Sequence, residues 1–307
     1  MTHEATIIRS TGSWYEVRDE AGAVSEARIR GRLRLSGRRS TNPVVVGDRV
    51  LCSSDEGGEV WIEEILPRTN YIIRRASNLS KESHIIAANI DQAAVVATLF
   101  SPATSPEFID RFLVTAEAYR IPATIVLNKA DLAEQTPEAL ERFVAIYRQA
   151  GYRVLRTSTV TGEGVEEFRD YLRGKTTLIS GNSGVGKSTL IKTVEPTLDI
   201  RIGEVSRAHH KGMHTTTFSQ MYALTQGGYI IDTPGIKGFG LIDIDPAELG
   251  RYFPEFRRYS PECQYYNCTH VHEPGCAVQR AVEQGSVSEE RYISYLKMLE
   301  EDEKYRK

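Results

Sequence analysis

The stretch Gly181-Asn182-Ser183-Gly184-Val185-Gly186-Lys187-Ser188-Thr189 constrains this chain more than any other. It fits G-x-x-x-x-G-K-[ST], and its flanks suit it. Residues 175–180 read as a short buried strand, and Lys187–Val194 reads as the first turns of a helix. In a strand–loop–helix of this kind, glycines let the backbone wrap a phosphate chain with its N–H groups pointing inward. The helix N-terminus adds partial positive charge. All nine residues are therefore expected to cradle phosphates. Lys187 is expected to reach the β- and γ-phosphates as a catalytic cation, and the Ser188 hydroxyl to bind Mg²⁺.

Two further motifs bear on the nucleotide. Asn128-Lys129-Ala130-Asp131 follows an apolar run at 123–127. An aspartate there can accept hydrogen bonds from guanine N1–H and N2–H₂, a donor pair that adenine lacks, and a mismatch leaves the carboxylate unpaired. Ser158 and Thr159, after a strand at 152–155, can close over the base. Asp232-Thr233-Pro234-Gly235 is a D-x-x-G sequence: Asp232 can hold Mg²⁺ through water, and the Gly235 N–H can contact the γ-phosphate.

The order of these motifs is informative. GTPases ordinarily run phosphate loop, switch threonine, D-x-x-G, N-K-x-D; here N-K-x-D comes first. A circularly permuted domain is expected, which requires ordinary termini that lie close together. The permutation puts the switch segments directly before the C-terminal region. The polar, basic stretch 201–218 reads as a switch loop, with Thr215 or Thr216 binding Mg²⁺ and the γ-phosphate. After Gly235 comes Ile236, which cannot orient water as a glutamine there would. His214 is the nearest group in sequence that can.

Residues 1–68 hold short β-like runs at 5–9, 14–18, 27–35, 49–52 and 60–65, spaced by turn residues as in a small barrel. Arg28, Arg30, Arg32 and Arg34 recur every second residue, so on a strand they share a face. With Arg38 and Arg39 they form a row suited to an RNA backbone. Apolar runs at 92–100 and 123–127 alternate with helical patterns at 106–119, 137–149 and 165–172, as in an α/β sheet. Past residue 246 periodicity stops. Cys263-x₄-Cys268-x-His270-x₅-Cys276 then offers three thiols and an imidazole, with His272 a rival for the histidine position. Such a closed set suits one structural Zn²⁺. Cys52, alone in a β run, reads as core. A final helix is expected after Ser286, with Glu289 completing a capping box and Tyr292, Leu296 and Leu299 on one face. No apolar run approaches the ~18 residues of a membrane span, and no apolar core follows the N-terminus. A cytoplasmic monomer is expected, divided at 1–68, 69–246 and 247–307.

This succession resembles the family of small-ribosomal-subunit-dependent bacterial GTPases RsgA, also called YjeQ or EngC: an Arg-rich barrel, N-K-A-D, G-N-S-G-V-G-K-S-T, G-M-H-T-T-T, D-T-P-G and the Cys/His segment. The resemblance covers nearly the whole chain. It implies an N-terminal OB-fold, a permuted P-loop GTPase domain and a mostly helical C-terminal zinc domain. It further implies that GTP is hydrolysed to GDP, stimulated by the 30S subunit and its 16S rRNA, in late 30S maturation. By the family's pattern the zinc ligands fall on Cys263, Cys268, His270 and Cys276, and the catalytic histidine on His214. The family's base-closing pair is often Ser-Ala, where this chain has Ser158-Thr159. Two rivals are an RNA-binding assembly scaffold that GTP merely switches, and a permuted GTPase serving the large subunit.

Overall fold

The computed structural model describes residues 2–11, 14–30, 43–75, 83–198, 220–232 and 244–306. Arg32, Arg34, Arg38, Arg39, His214, Thr215, Thr216 and Gly235 lie outside these. Among the described residues the N-terminal strands are β1 (Thr2–Ser10), β2 (Tyr15–Asp19), β3 (Val24–Ile29), β4 (Arg49–Ser54), β5 (Val60–Ile65), β6 (Tyr71–Arg75) and β7 (Ser83–Ala88). Then come β8 (Gln92–Ala97), β9 (Ala123–Leu127), β10 (Arg153–Arg156), β11 (Thr176–Gly181), β12 (Gln220–Ala223) and β13 (Tyr229–Asp232). The helices are α1 (Pro106–Ala118), α2 (Ala130–Ala133), α3 (Pro137–Ala150), α4 (Val165–Leu172), α5 (Lys187–Val194), α6 (Pro254–Tyr259), α7 (Ala277–Glu283) and α8 (Glu289–Arg306). None is long and apolar enough to cross a membrane.

The chain packs into two units that interleave in sequence. The first holds Met1–Gln92, Leu172–Ser180 and Thr197–Ile236; the second holds Ala93–Tyr171, Gly181–Pro196 and Lys237–Lys307.

In the first unit, β1 pairs antiparallel with both β2 and β4, β2 with β3, and β4 with β5, while β3 runs parallel to β5. The order β1-β2-β3-β5-β4 thus closes back on β1 as a five-stranded barrel. Its core follows the strands' period of two: Ala5, Ile7, Tyr15, Val17, Ala27, Ile29, Val50, Cys52 and Ile62 are buried. Cys52 is therefore a core residue. Directly after the barrel, Arg68 turns back onto it and grips the fully buried Asp48 bidentately, at 2.6 and 2.7 Å.

Two pieces of this unit escape sequence patterning. The β6–β7 hairpin offers only short apolar pairs, Ile72-Ile73 and Ile85-Ile86, too brief to show a period. It is tied to the barrel where Asn89 donates to the Gly47 carbonyl at 2.9 Å. Gly47 has φ of 86°, and a Cβ there would lie 2.1 Å from the Ala88 carbonyl oxygen, so only glycine fits. The four-residue β12 pairs antiparallel with β13, which runs parallel to β11, and on its other edge β12 meets β1 at Arg9↔Gln220.

In the second unit β8, β9 and β10 form a parallel run. Burial on both faces explains the unbroken apolar stretches. The α/β reading holds, with helix and strand ends moved by one to three residues. The aperiodic segment past residue 246 holds a 3-10 turn at Pro246–Tyr252 and the short helices α6 and α7. It shares a core with α1: Val114 packs with Leu249, Phe253, Phe256, Val278 and Tyr295, and Tyr292, Leu296 and Leu299 cover the cluster as expected. The capping box is displaced. Helix α8 begins at Glu289, and the Ser286 amide donates to Ala281 at 2.8 Å, closing α7 instead.

Arg291 of α8 is 1 % exposed. It donates to Asp110 of α1 at 2.6 Å and to both oxygens of Glu255 of α6 at 2.7 and 3.2 Å, and the Phe253 ring lies 4.7 Å from its guanidinium. Desolvation opposes this charge, but the two buried carboxylates outweigh it and hold the guanidinium more firmly protonated than usual. Removing one partner of such a group strands the others. Arg291→Ala is expected to cost about 3–5 kcal/mol, read as a lower urea midpoint. A loss below about 1 kcal/mol would mean that Asp110 and Glu255 find other partners.

Candidate functional site

The phosphate loop leaves β11 at Gly181 and enters α5 at Gly186, which has φ of 85°. A Cβ on Gly186 would stand 2.6 Å from the Asn128 amide nitrogen, and one on Gly181 would stand 2.7 Å from the Val96 carbonyl oxygen. Both glycines are therefore close-approach positions, one against N-K-x-D and one against the end of β8.

The N-K-x-D residues follow β9, and each grips a neighbour. The buried Asn128 amide donates to the Val185 carbonyl at 2.9 Å, and its oxygen accepts from the Thr157 hydroxyl at 3.0 Å. Lys129, at φ of 57°, donates to the Gly184 carbonyl at 2.9 Å and to the Ser101 carbonyl. Ala130 is fully buried, and its amide donates to Thr157 at 3.0 Å. The Asp131 carboxylate accepts from the buried Ser158 hydroxyl at 2.6 Å, and Ser158 in turn accepts from the amides of Val160 and Thr161. Thr159 follows, half-buried. The Asp131 carboxylate is thus held by Ser158, on the segment whose Asn128 and Lys129 bond the glycine-rich loop. Asn182, Lys187 and Ser188 are half-buried, Ser183, Gly184 and Thr189 are exposed, and Val185 is buried. Ser101, which no motif marks, was invisible in the sequence as a support for Lys129.

Asp232 ends β13 in the first unit and is 7 % exposed. Its cross-strand partners are Ile179 and Gln220. On the same strand pair, burial pushes the Tyr222 hydroxyl above its ordinary range, with the Asp232 carboxylate adding to the shift and Arg9 opposing it.

On the barrel, Arg28 and Arg30 are exposed and flank the buried Ile29, as alternation requires. Both are engaged. Arg28 lies over the Trp14 ring at 3.9 Å, and Arg30 pairs with Glu63 of β5 at 3.1 Å. No acid interrupts the arginine row in sequence, but β5 brings one beside it.

In the C-terminal region the donor atoms of Cys263, Cys268, His270 and Cys276 all lie within 4.8 Å of one another. His270 Nδ1 stands 3.7 Å from Cys263 Sγ and 3.4 Å from Cys276 Sγ. A tetrahedral zinc with Zn–S near 2.3 Å and Zn–N near 2.0 Å sets such atoms about 3.6 Å apart, so the set fits that ion. The imidazole is oriented for it. The Ser260 hydroxyl donates to the Phe256 carbonyl at 2.8 Å, so it meets His270 Nε2 at 3.2 Å as an acceptor. The proton then sits on Nε2, and the Nδ1 lone pair faces the thiols. His272 is exposed and outside the group. Burial pushes the Cys268 thiol up to about 12 and raises Cys276, and it lowers His270. A divalent cation is what would convert such thiols to thiolates. Glu273 braces the ligand loop by accepting from the Thr269, Val271 and His272 amides and from the Thr269 hydroxyl. Ser260 and Glu273 carry no motif; only their nearness to the cysteines in sequence hints at them.

Comparison with known proteins now adds a name. The RsgA N-terminal domain model matches residues 4–62, and the RsgA GTPase model matches residues 65–242. The chain belongs to the RsgA GTPase family. A Bacteroides fragilis member named small ribosomal subunit biogenesis GTPase RsgA is 54 % identical over 303 residues, covering 98 % of each chain. A Porphyromonas gingivalis member of the same name is 51 % identical, covering 99 % of each. Among solved structures, YjeQ from Thermotoga maritima superposes with a TM-score of 0.81 at 36 % identity, over 98 % of both chains. YloQ, described as a circularly permuted GTPase, gives 0.75 at 31 %, over 100 % of this chain and 96 % of its own. The family's architecture is present: an N-terminal five-stranded barrel, a circularly permuted GTPase fold and a Cys₃His cluster near the C-terminus.

The cluster gives a direct test. Cys268→Ala is expected to lose the metal and loosen the C-terminal region while GTP binding persists, because metal binding here is local folding energy. His272→Ala is expected to keep full metal content. Zinc analysis of the two purified variants checks both, and full occupancy in Cys268→Ala would refute the ligand set.

Proposed function

We propose that this chain is a GTPase of small-subunit biogenesis. It binds GTP, docks on the 30S subunit through 16S rRNA, and hydrolyses GTP to GDP and phosphate faster when docked, during late maturation. One observation carries the nucleotide part: Asn128 and Lys129 are bonded to the phosphate loop itself, at Val185 and Gly184. The guanine reader and the phosphate cradle are then one rigid body. The ribosomal part rests on the names of the relatives, which identify them as small-subunit biogenesis GTPases.

In this reading Asp131 accepts from the guanine edge, with Ser158 setting its angle and Thr159 closing over the base. Residues 181–189 wrap the phosphates, Lys187 neutralises developing charge and the Gly235 N–H meets the γ-phosphate. Magnesium would be held by Ser188, Asp232 and Thr215 or Thr216; when bound, it offsets charge on the β- and γ-oxygens. His214 orients the attacking water, since Ile236 cannot. Zinc on Cys263, Cys268, His270 and Cys276 is structural, because four protein ligands leave no open position. Arg28, Arg30, Arg32, Arg34, Arg38 and Arg39 contact RNA. The chain works as a cytoplasmic monomer, in parts at 1–68, 69–246 and 247–307.

Three measurements test this. GTPase rates with purified 30S, 50S and 70S particles should rise only with 30S. Equal slow rates would favour the GTP-switched scaffold, and stimulation by 50S would assign the large subunit. Asp131→Asn should lose GTP affinity by up to about 10⁴-fold and gain XTP, whose C2 oxo group can accept from the asparagine amide. Unchanged preference would show that Asp131 does not read the base. His214→Ala should bind GTP and 30S normally yet lose on the order of 100-fold of the stimulated rate. Near-full stimulation would make His214 a bystander.

A further inference from the structure

Four residues on four strands stand in one row of the first unit. Glu16 of β2 opposes Arg9 of β1, Arg9 opposes Gln220 of β12, and Gln220 opposes Asp232 of β13. Directly opposed residues place their side chains on the same face, roughly 5 Å apart at Cβ. Two side-chain contacts lie along the row. Arg9 pairs with Glu16 at 3.0 Å. Gln220 accepts at Oε1 from the Tyr222 hydroxyl at 3.3 Å, so it has its NH₂ group to offer the carboxylate opposite. Tyr222 lies two residues along the same strand and so on the same face. Burial raises the pKa of its hydroxyl, with Asp232 adding to the shift and Arg9 opposing it.

The position of this row in the fold gives it meaning. Arg9↔Gln220 is the register pair through which the barrel joins β12. Glu16 and Arg9 are half-exposed on the barrel and, with Trp14 and Glu26, line a cavity of about 280 Å³. Asp232, at the other end, is the D-x-x-G aspartate.

We propose that Gln220 is a positioning residue for Asp232, and that Arg9 makes this hold responsive to RNA phosphates on the barrel. This rests on the reading of Asp232 as a magnesium-facing group. An RNA phosphate competes with Glu16 for the Arg9 guanidinium. Arg9 then shifts against Gln220, and the amide hands that shift to Asp232 across one strand spacing. Linkage is reciprocal: whatever RNA does to magnesium-dependent nucleotide binding, the nucleotide does to RNA binding.

The test reads binding, not turnover. Magnesium is titrated into the full chain with a fluorescent GTP analogue, with and without 30S subunits, and the magnesium midpoint is recorded. In the wild-type chain 30S should shift the midpoint by about 5-fold or more. Gln220→Ala should move the midpoint without 30S and abolish the 30S-induced shift. Arg9→Ala should abolish the shift too, and the double variant should do no more than either single one, as for residues acting through one link. Arg9→Lys, which keeps the charge, should restore part of the shift. Gln220→Glu is isosteric, so it keeps the fold if Gln220→Ala does not; by setting a second carboxylate opposite Asp232 it should move the midpoint further than alanine. A wild-type chain that binds GTP and 30S without any shift overturns the inference and leaves the function standing, as does a shift that survives in the Arg9 and Gln220 variants. A wild-type chain that binds neither GTP nor 30S overturns the function, and the inference with it.

Discussion

The Asn128 side chain ties together segments that the sequence keeps far apart. Its amide donates to the phosphate loop at Val185, and its oxygen accepts from Thr157. Both bonds are buried, so losing either would leave a polar group without water. Its neighbour Lys129, in a left-handed conformation, bonds the same loop at Gly184. The N-K-x-D segment and the glycine-rich loop are therefore bonded directly to each other. Permutation of the chain leaves this joint intact, because it depends on which residues meet and not on which comes first.

The C-terminal region is held in two ways. The Cys₃His cluster is small and local, and Ser260 and Glu273 brace it with hydrogen bonds of their own. Arg291 provides the longer reach, fastening α8 to α1 and α6 through two buried carboxylates. A metal can organise about fourteen residues by itself; a buried ion network with a shared apolar core extends that order into the α/β scaffold.

The strand bearing Asp232 has neighbours of two kinds, in sequence and in the sheet. In sequence, D-x-x-G leads on toward the cysteine segment. In hydrogen bonds, the strand bearing Asp232 leads through β12 to the barrel. Sequence proximity and sheet register are different relations, and it is the second that brings this strand beside the barrel.

Much of this protein was legible in its residues. The phosphate loop, N-K-x-D and D-x-x-G carry their chemistry in fixed spacings, and long periodic elements such as 106–118, 123–127 and 165–172 carry their conformation locally. The residues alone left His270 and His272 as rivals; the family resemblance pointed to His270, and the fold brings His270 together with the three thiols. Strands β6, β7 and β12 were silent because four to six residues with few or paired apolar positions are too short to show a period; their partners alone make them strands. Glu63 beside Arg30, Ser260 behind His270, and Gln220 opposite Asp232 are likewise matters of register and packing. Local spacing can encode what a segment binds, but the partner across a strand is chosen by the fold as a whole.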